Sequence, residues 1–253
     1  MTDNQTKLFL SASSKPGNFG ATVFTELFKK HKINAVYMPR VAKDAKELVV
    51  AIRALAVSGC AISSPLKSEI IPYLDSLDAV AKETNSVNTI VNREGKLQGF
   101  NTDLYGVQMA LKDVKMKSAL VYGSGSVVNS VIGALKNLGF TDISVMARRK
   151  EEAEKIAARY RVKSGLNSFE LLINATPASL DTANRALFEL CPKAKAVFDL
   201  VVSPQDTPLI LEAKSLNLQT ISGIQMSKWQ LQKQFELYTG IQSGISEIDS
   251  IIG

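Results

Sequence analysis

The sequence predicts an α/β protein of two domains, and three observations predict it. Short apolar runs alternate with amphipathic stretches from end to end, the pattern of strands and helices that build parallel sheets. The chain has 253 residues, room for two ordinary domains, and its 45% hydrophobic and 21% charged composition can fill a sizeable core. Near Ser118 a second strand and helix series begins, and it opens on a glycine-bearing turn.

In the first series "KLFLS" and "NAVYMP" read as strands. "KDAKELVVAIRALA" reads as a helix with Leu48, Val49, Ile52, Leu55 and Ala56 on one face. "GCAISSPLK" is strand-like from Cys60 to Ile62, breaks at Pro65 and sets Lys67 in a proline-initiated helix, with a further helical stretch after it. "SVNTIVNREGKLQGFNTD" holds two apolar runs around a charged, glycine-containing turn, a hairpin pattern that ends at Asp103.

In the second series the order is strand "ALVYG", helix "VVNSVIGALKNLG", strand "ISVMAR", helix "EEAEKIAARY", strands "LLINAT" and "AVFDLV", and a helix before "LQTISG". Met226, Trp229, Phe235 and Leu237 then follow helical spacing, and "ISEIDSIIG" reads as a terminal helix.

Composition excludes several function classes. The net charge of +6 is spread along the chain, which argues against a specific nucleic-acid partner and favours small anionic ligands. With one histidine, His31, and two separated cysteines, Cys60 and Cys191, no imidazole or thiolate metal cluster is expected. His31 reads as a solvated helix-end residue, and both cysteines read as core thiols in a reducing compartment. No apolar run is long enough for a membrane span and "MTDNQTK" lacks a leader's apolar segment, so a cytoplasmic protein is expected, as a monomer or homodimer.

The turn "YGSGSVVN" places Gly123, Ser124, Gly125 and Ser126 between an apolar strand and a helix. Glycine there lets backbone amides approach a pyrophosphate at a positive helix end, so this half reads as a Rossmann-type dinucleotide domain. Val128 stands where a third glycine is usual. The next strand ends in Arg148 and Arg149 rather than in an acidic residue that would bind a ribose hydroxyl. Guanidinium groups suit a 2′-phosphate, which favours NADP, with NAD possible.

Taken singly, Lys67 reads as surface charge and Asp103 as a helix cap. Together with "VNT" at Val87–Thr89, "NTDLYG" from Asn101, "INATP" from Ile173 and "VFDLVVSPQDTPL", they carry a resemblance. The chain resembles the shikimate dehydrogenase family over nearly its whole length, matching that family's N-V-T-x-P-x-K as "AISSPLK". The resemblance implies that Lys67 and Asp103 are the catalytic pair, and that Asn88, Asn101, Gln230 and Ser63 bind substrate hydroxyl and carboxylate groups. It also implies that Thr176 and Gly223 lie at the cofactor. Hydride transfer leaves an oxygen that needs a proton, and a lysine ammonium kept charged by a carboxylate can supply it. The reverse oxidation needs neutral lysine and should improve at higher pH.

The family's N-terminal serine pair grips the substrate carboxylate, but this chain reads "SASSKPGNFGATVFTELF". Asn18 and Gly20 occupy the serine positions in one alignment, while Ser11 and Ser13 are the alternative source of hydroxyls. "SKPGNFG" is similar to the shikimate dehydrogenase-like branch more than to the biosynthetic enzyme. Ala61 for asparagine, Asn85 and Ser86 for Gly-Ala, and Ser126 for the second glycine of the cofactor loop are further departures.

The expected organisation is a substrate domain over 1–105, rejoined by 226–253, and a Rossmann-type domain over 106–225. The expected activity is NADP-dependent reduction of 3-dehydroshikimate to shikimate, or the same reaction on a near analogue such as quinate. The alternative is a nucleotide-binding member with little turnover and a regulatory role.

Overall fold

The structure is a computed structural model that describes residues 2–180 and 185–252. Two compact units divide the chain: Met1–Thr102 with Gln230–Gly253, and Asp103–Trp229. The sequence reading places these limits at 105 and 226.

The first unit runs β1 Lys7–Ser13, α1 Phe19–Lys30, β2 Ala35–Val41, α2 Ala45–Ala54, β3 Gly59–Ile62, α3 Leu66–Glu69, β4 Ser76–Leu77, α4 Ala79–Thr84, β5 Thr89–Arg93 and β6 Lys96–Phe100. Its sheet has the order β2-β1-β3-β5-β6-β4, with β1 parallel to β2 and β3, and β5 antiparallel to both β3 and β6. The β5–β6 hairpin turns on Glu94 and Gly95, both at positive φ, the backbone that matches a two-residue turn to strand twist. Alternation along β1 sends Phe9 to one face, with Phe24, Phe28 and Phe235, and Leu10 to the other, with Ile52, Cys60 and Leu66.

The expected apolar face of α2 is corrected at its end. Leu48, Val49 and Ile52 are buried, but the helix stops at Ala54 and Leu55 is 64% exposed. Ala56 adopts φ +47°, and this turn carries the chain to fully buried Val57 in place of a further helical turn.

The second unit runs α5 Asp103–Leu111, β7 Ser118–Tyr122, α6 Ser126–Asn137, β8 Asp142–Met146, α7 Lys150–Tyr160, β9 Lys163–Ser164, β10 Leu171–Asn174, α8 Arg185–Phe188, β11 Ala196–Asp199, α9 Pro208–Ser215 and β12 Gln219–Ser222. Its sheet is wholly parallel, in the order β12-β11-β10-β7-β8-β9. The chain builds outward from β7 through β8 and β9, then crosses to β10 on the other side, so the strand order switches between β7 and β10. Every residue of β10 and β11 is buried, which explains their nearly unbroken apolar sequences.

Helix α10, Gly223–Thr239, passes from one unit into the other, and α11 is Ile245–Ile252. Gly253, expected in the last helix, lies outside the described residues. His31 does stand at the end of α1, but it is not simply solvated: its Nε2 lies 2.9 Å from Glu247 Oε2 of α11. Cys60 and Cys191 are free and buried. Among the described residues no helix is long and apolar enough to cross a membrane.

Candidate active site

In the first unit the backbone of Asn88 is held between two strands. Its carbonyl accepts the Ile62 N–H at 2.8 Å, and its N–H donates to Phe100 O at 3.0 Å. Its side chain is 1% exposed. Oδ1 accepts from the Thr102 N–H at 2.9 Å and from the Thr89 hydroxyl at 2.8 Å, and Nδ2 donates to Thr102 Oγ1 at 2.9 Å. A backbone N–H can only donate, so the Thr102 contact fixes which end of the Asn88 amide is oxygen. Asn101, also buried, donates from Nδ2 to Thr84 Oγ1 at 2.8 Å.

Lys67 lies half-buried in α3, and its carbonyl accepts the Val87 N–H at 2.8 Å, which ties the lysine's backbone beside the segment that leads into Asn88. Ser63 is exposed, and its N–H donates to Ala12 O at 3.0 Å at the end of β1. Gln230 is half-buried on α10, one helical turn before Gln234, whose Nε2 donates to Thr89 Oγ1 at 2.7 Å.

The two sources of replacement hydroxyls differ structurally. Ser13 Oγ accepts the Lys15 N–H at 3.2 Å, and Ser11 is half-buried on β1 in register with Pro39 of β2. Burial pushes the Tyr37 phenol far up from its ordinary value. At Gly20 an added Cβ would meet that phenol oxygen at 3.5 Å. Asn18, by contrast, is exposed at the N-cap of α1, and its side chain makes no capping hydrogen bond.

Asp103 belongs to the second unit, where it opens α5 and is 4% exposed. In the same unit Gly123 has φ +145°, and an added Cβ would lie 3.0 Å from both Ala175 O and Thr176 Cγ2, so no other residue fits without a shift. Gly125 is the exposed N-cap of α6 and has no side chain to cap that helix, and the space where its Cβ would project is open. Ser124 and Ser126 are half-buried beside it. Arg148 and Arg149 are exposed between β8 and α7. Two glycines at a helix N-terminus, with a guanidinium pair after the adjoining strand, fit a dinucleotide that carries a 2′-phosphate.

Thr176 and Gly223 have evident structural tasks. The Thr176 hydroxyl donates to Asn174 Oδ1 at 2.7 Å. At Gly223 a Cβ would lie 2.5 Å from both Leu200 O and Val201 O, so glycine permits a close backbone approach where β12 becomes α10.

Sequence reasoning missed two polar clusters. Thr89, Thr102 and Gln234 hold Asn88, and Asn174, Asp199 and Thr207 form a buried group at the ends of β10 and β11. The available signal was a polar residue closing an otherwise apolar strand, in "LLIN" and "AVFD", since a buried polar group requires partners.

The fold and the glycine turn define the class: a two-unit α/β oxidoreductase whose second unit is a dinucleotide-binding sheet. Residues 19–90 match the family described as shikimate dehydrogenase substrate binding domain. A shikimate dehydrogenase-like protein of Haemophilus influenzae is 34% identical, covering 94% of this chain and 93% of its own. A shikimate dehydrogenase (NADP(+)) of Maridesulfovibrio salexigens is 32% identical over 85% of this chain and 84% of its own. The shikimate dehydrogenase of Thermus thermophilus, solved with NADP(H) and shikimate, superposes with a TM-score of 0.87 at 26% identity, covering 97% of each chain. The chain belongs to the shikimate dehydrogenase family.

Proposed function

We propose that the protein catalyses the reversible, NADP-dependent reduction of 3-dehydroshikimate to shikimate, or the same reaction on a near analogue such as quinate. The observation that carries this reading is the fixed amide of Asn88, whose orientation is set by Thr102 N while the backbone of Lys67 is tied to Val87 one residue earlier. The two residues come from adjoining segments, which supports recognition of a polyhydroxy acid by the Asn88 amide and the Lys67 side chain.

When bound, NADPH supplies the hydride that reduces the carbonyl carbon. Lys67 gives the proton to the carbonyl oxygen, and Asp103 is its partner in the catalytic pair. Asn88, Asn101, Gln230, Ser63 and Asn18 bind the hydroxyl and carboxylate groups and hold the ring for transfer. The backbone from Gly123 to Ser126 takes the pyrophosphate, and Arg148 and Arg149 take the 2′-phosphate, favouring NADP over NAD.

One observation favours a second reading. Asn18 is exposed at the N-cap of α1 and its side chain makes no capping hydrogen bond, so a neutral amide would stand in for the serine pair. A weakened carboxylate grip would suit an analogue substrate, or a nucleotide-binding member with little turnover.

The test is an activity matrix of shikimate, quinate and related ring acids against NADP and NAD. Shikimate-dependent NADPH formation, abolished by Lys67→Ala in a folded protein, is the expected result. NADP binding by calorimetry without turnover of any acid supports the second reading and sinks the first.

A further inference from the structure

Asp199 closes β11 with 0% exposure. Its Oδ1 accepts from Asn174 Nδ2 at 2.9 Å and from the Val201 N–H at 3.2 Å, and its Oδ2 accepts from the Thr207 hydroxyl at 2.6 Å. Thr207 Oγ1 itself receives the Ile210 N–H at 3.2 Å, so its hydrogen is directed to the aspartate. Three donors face this carboxylate, and among the described residues no lysine, arginine or histidine pairs with it. A carboxylate is thus held inside the second unit with three donors on its oxygens and, among the described residues, no cationic side chain beside it.

Its place in the sheet gives that charge a consequence. β8, which leads to Arg148, lies on one side of β7, while β10 and β11 lie on the other. A dinucleotide with its pyrophosphate at the Gly123 turn and its 2′-phosphate at Arg148 extends its other nucleoside toward the carboxyl ends of β10 and β11. Asp199 stands at that end, in register with Asn174, which in turn is in register with Tyr122 just before Gly123. Asn174 also holds Thr176, whose methyl carbon would be 3.0 Å from a Cβ on Gly123.

We propose that Asp199 biases the cofactor site toward the oxidised dinucleotide. The oxidised nicotinamide ring carries a positive charge and the reduced ring carries none, so a fixed, poorly screened carboxylate attracts only the oxidised form. The proposal rests on the NADP reading above, but not on the identity of the acid substrate.

The experiment measures dissociation constants for NADP+ and NADPH, without substrate, by calorimetry and by NADPH fluorescence. Asp199→Asn should raise the ratio Kd(NADP+)/Kd(NADPH) about tenfold. Thr207→Val removes one hydrogen bond but leaves the charge, and should lower the melting temperature with the ratio unchanged. If Asp199→Asn does not fold, exchanging the pair as Asn174→Asp with Asp199→Asn retains a carboxylate and an amide side by side. That exchange moves the charge one strand toward Gly123, and the ratio should fall below that of the native protein. Equal weakening of both cofactors by Asp199→Asn, or an unmoved ratio in the exchange variant, overturns the proposal and leaves the NADP reading standing. A folded native protein that binds neither cofactor overturns the NADP reading, and the proposal with it.

Discussion

Gln234 donates from Nε2 to the hydroxyl of Thr89 at 2.7 Å, joining α10 to β5 across 145 residues of sequence. Because that hydroxyl accepts from Gln234, its own hydrogen goes to Asn88 Oδ1 at 2.8 Å. One helix side chain thereby supports the same amide oxygen that the Thr102 N–H holds.

Thr89→Val tests this relay. The substitution preserves shape but removes an acceptor from Gln234 and a donor from Asn88, both in a site closed to water. Leaving such groups short of partners costs about 1–3 kcal/mol, measured as a fall in unfolding free energy in urea at unchanged m-value. Thr89→Ser retains the hydroxyl and should recover most of the hydrogen-bond part of the loss. An unchanged unfolding free energy in Thr89→Val would show that the relay contributes nothing to stability.

Gly223→Ala should act mainly on stability. Its Cβ would lie 2.5 Å from two carbonyl oxygens, those of Leu200 and Val201, and backbone atoms cannot step aside as a flexible side chain can. Overpacking of this kind costs about 1–3 kcal/mol, or about 2–4 °C of melting temperature per kcal/mol in a protein of this size. Calorimetric scanning checks it, and a variant with native melting behaviour but weakened NADP binding would instead point to a direct cofactor role for this glycine.

Most of the architecture was legible because apolar strands and amphipathic helices differ in period, and because glycine at φ +145° has few substitutes, as Gly123 illustrates. Lys67 and Asp103 are proposed as a pair only through a family pattern, since a charged residue near a helix start has the same local signature whether it is solvated or chemical. Leu55 was misassigned because helical periodicity does not reveal where a helix ends, and a single left-handed residue, Ala56, ended it. Gln234 and Asp199 were missed for a different reason. Their partners lie on other strands or 145 residues away, so only the folded chain discloses which buried polar groups meet.

Acid titration gives the last prediction. Glu170 accepts from Lys195 Nζ at 2.8 Å and from the Lys117 N–H at 3.0 Å. The lysine contact first, and the backbone N–H second, pull its carboxyl down from 4.5 to about 2. As pH falls, the unfolded chain therefore takes up a proton at this position before the folded chain does, which favours unfolding. The stability contributed by ionised Glu170 is fully present above about pH 4.5 and is lost as pH falls through about 2. Glu170→Gln should melt below the native protein at neutral pH, and the gap should close between those two values. Comparing the two proteins at each pH cancels the titration of every other carboxylate. Because Lys195 is largely exposed, added salt should narrow the neutral-pH gap. A gap that stays constant down to pH 2 would mean that Glu170 contributes by packing and neutral hydrogen bonding rather than by charge.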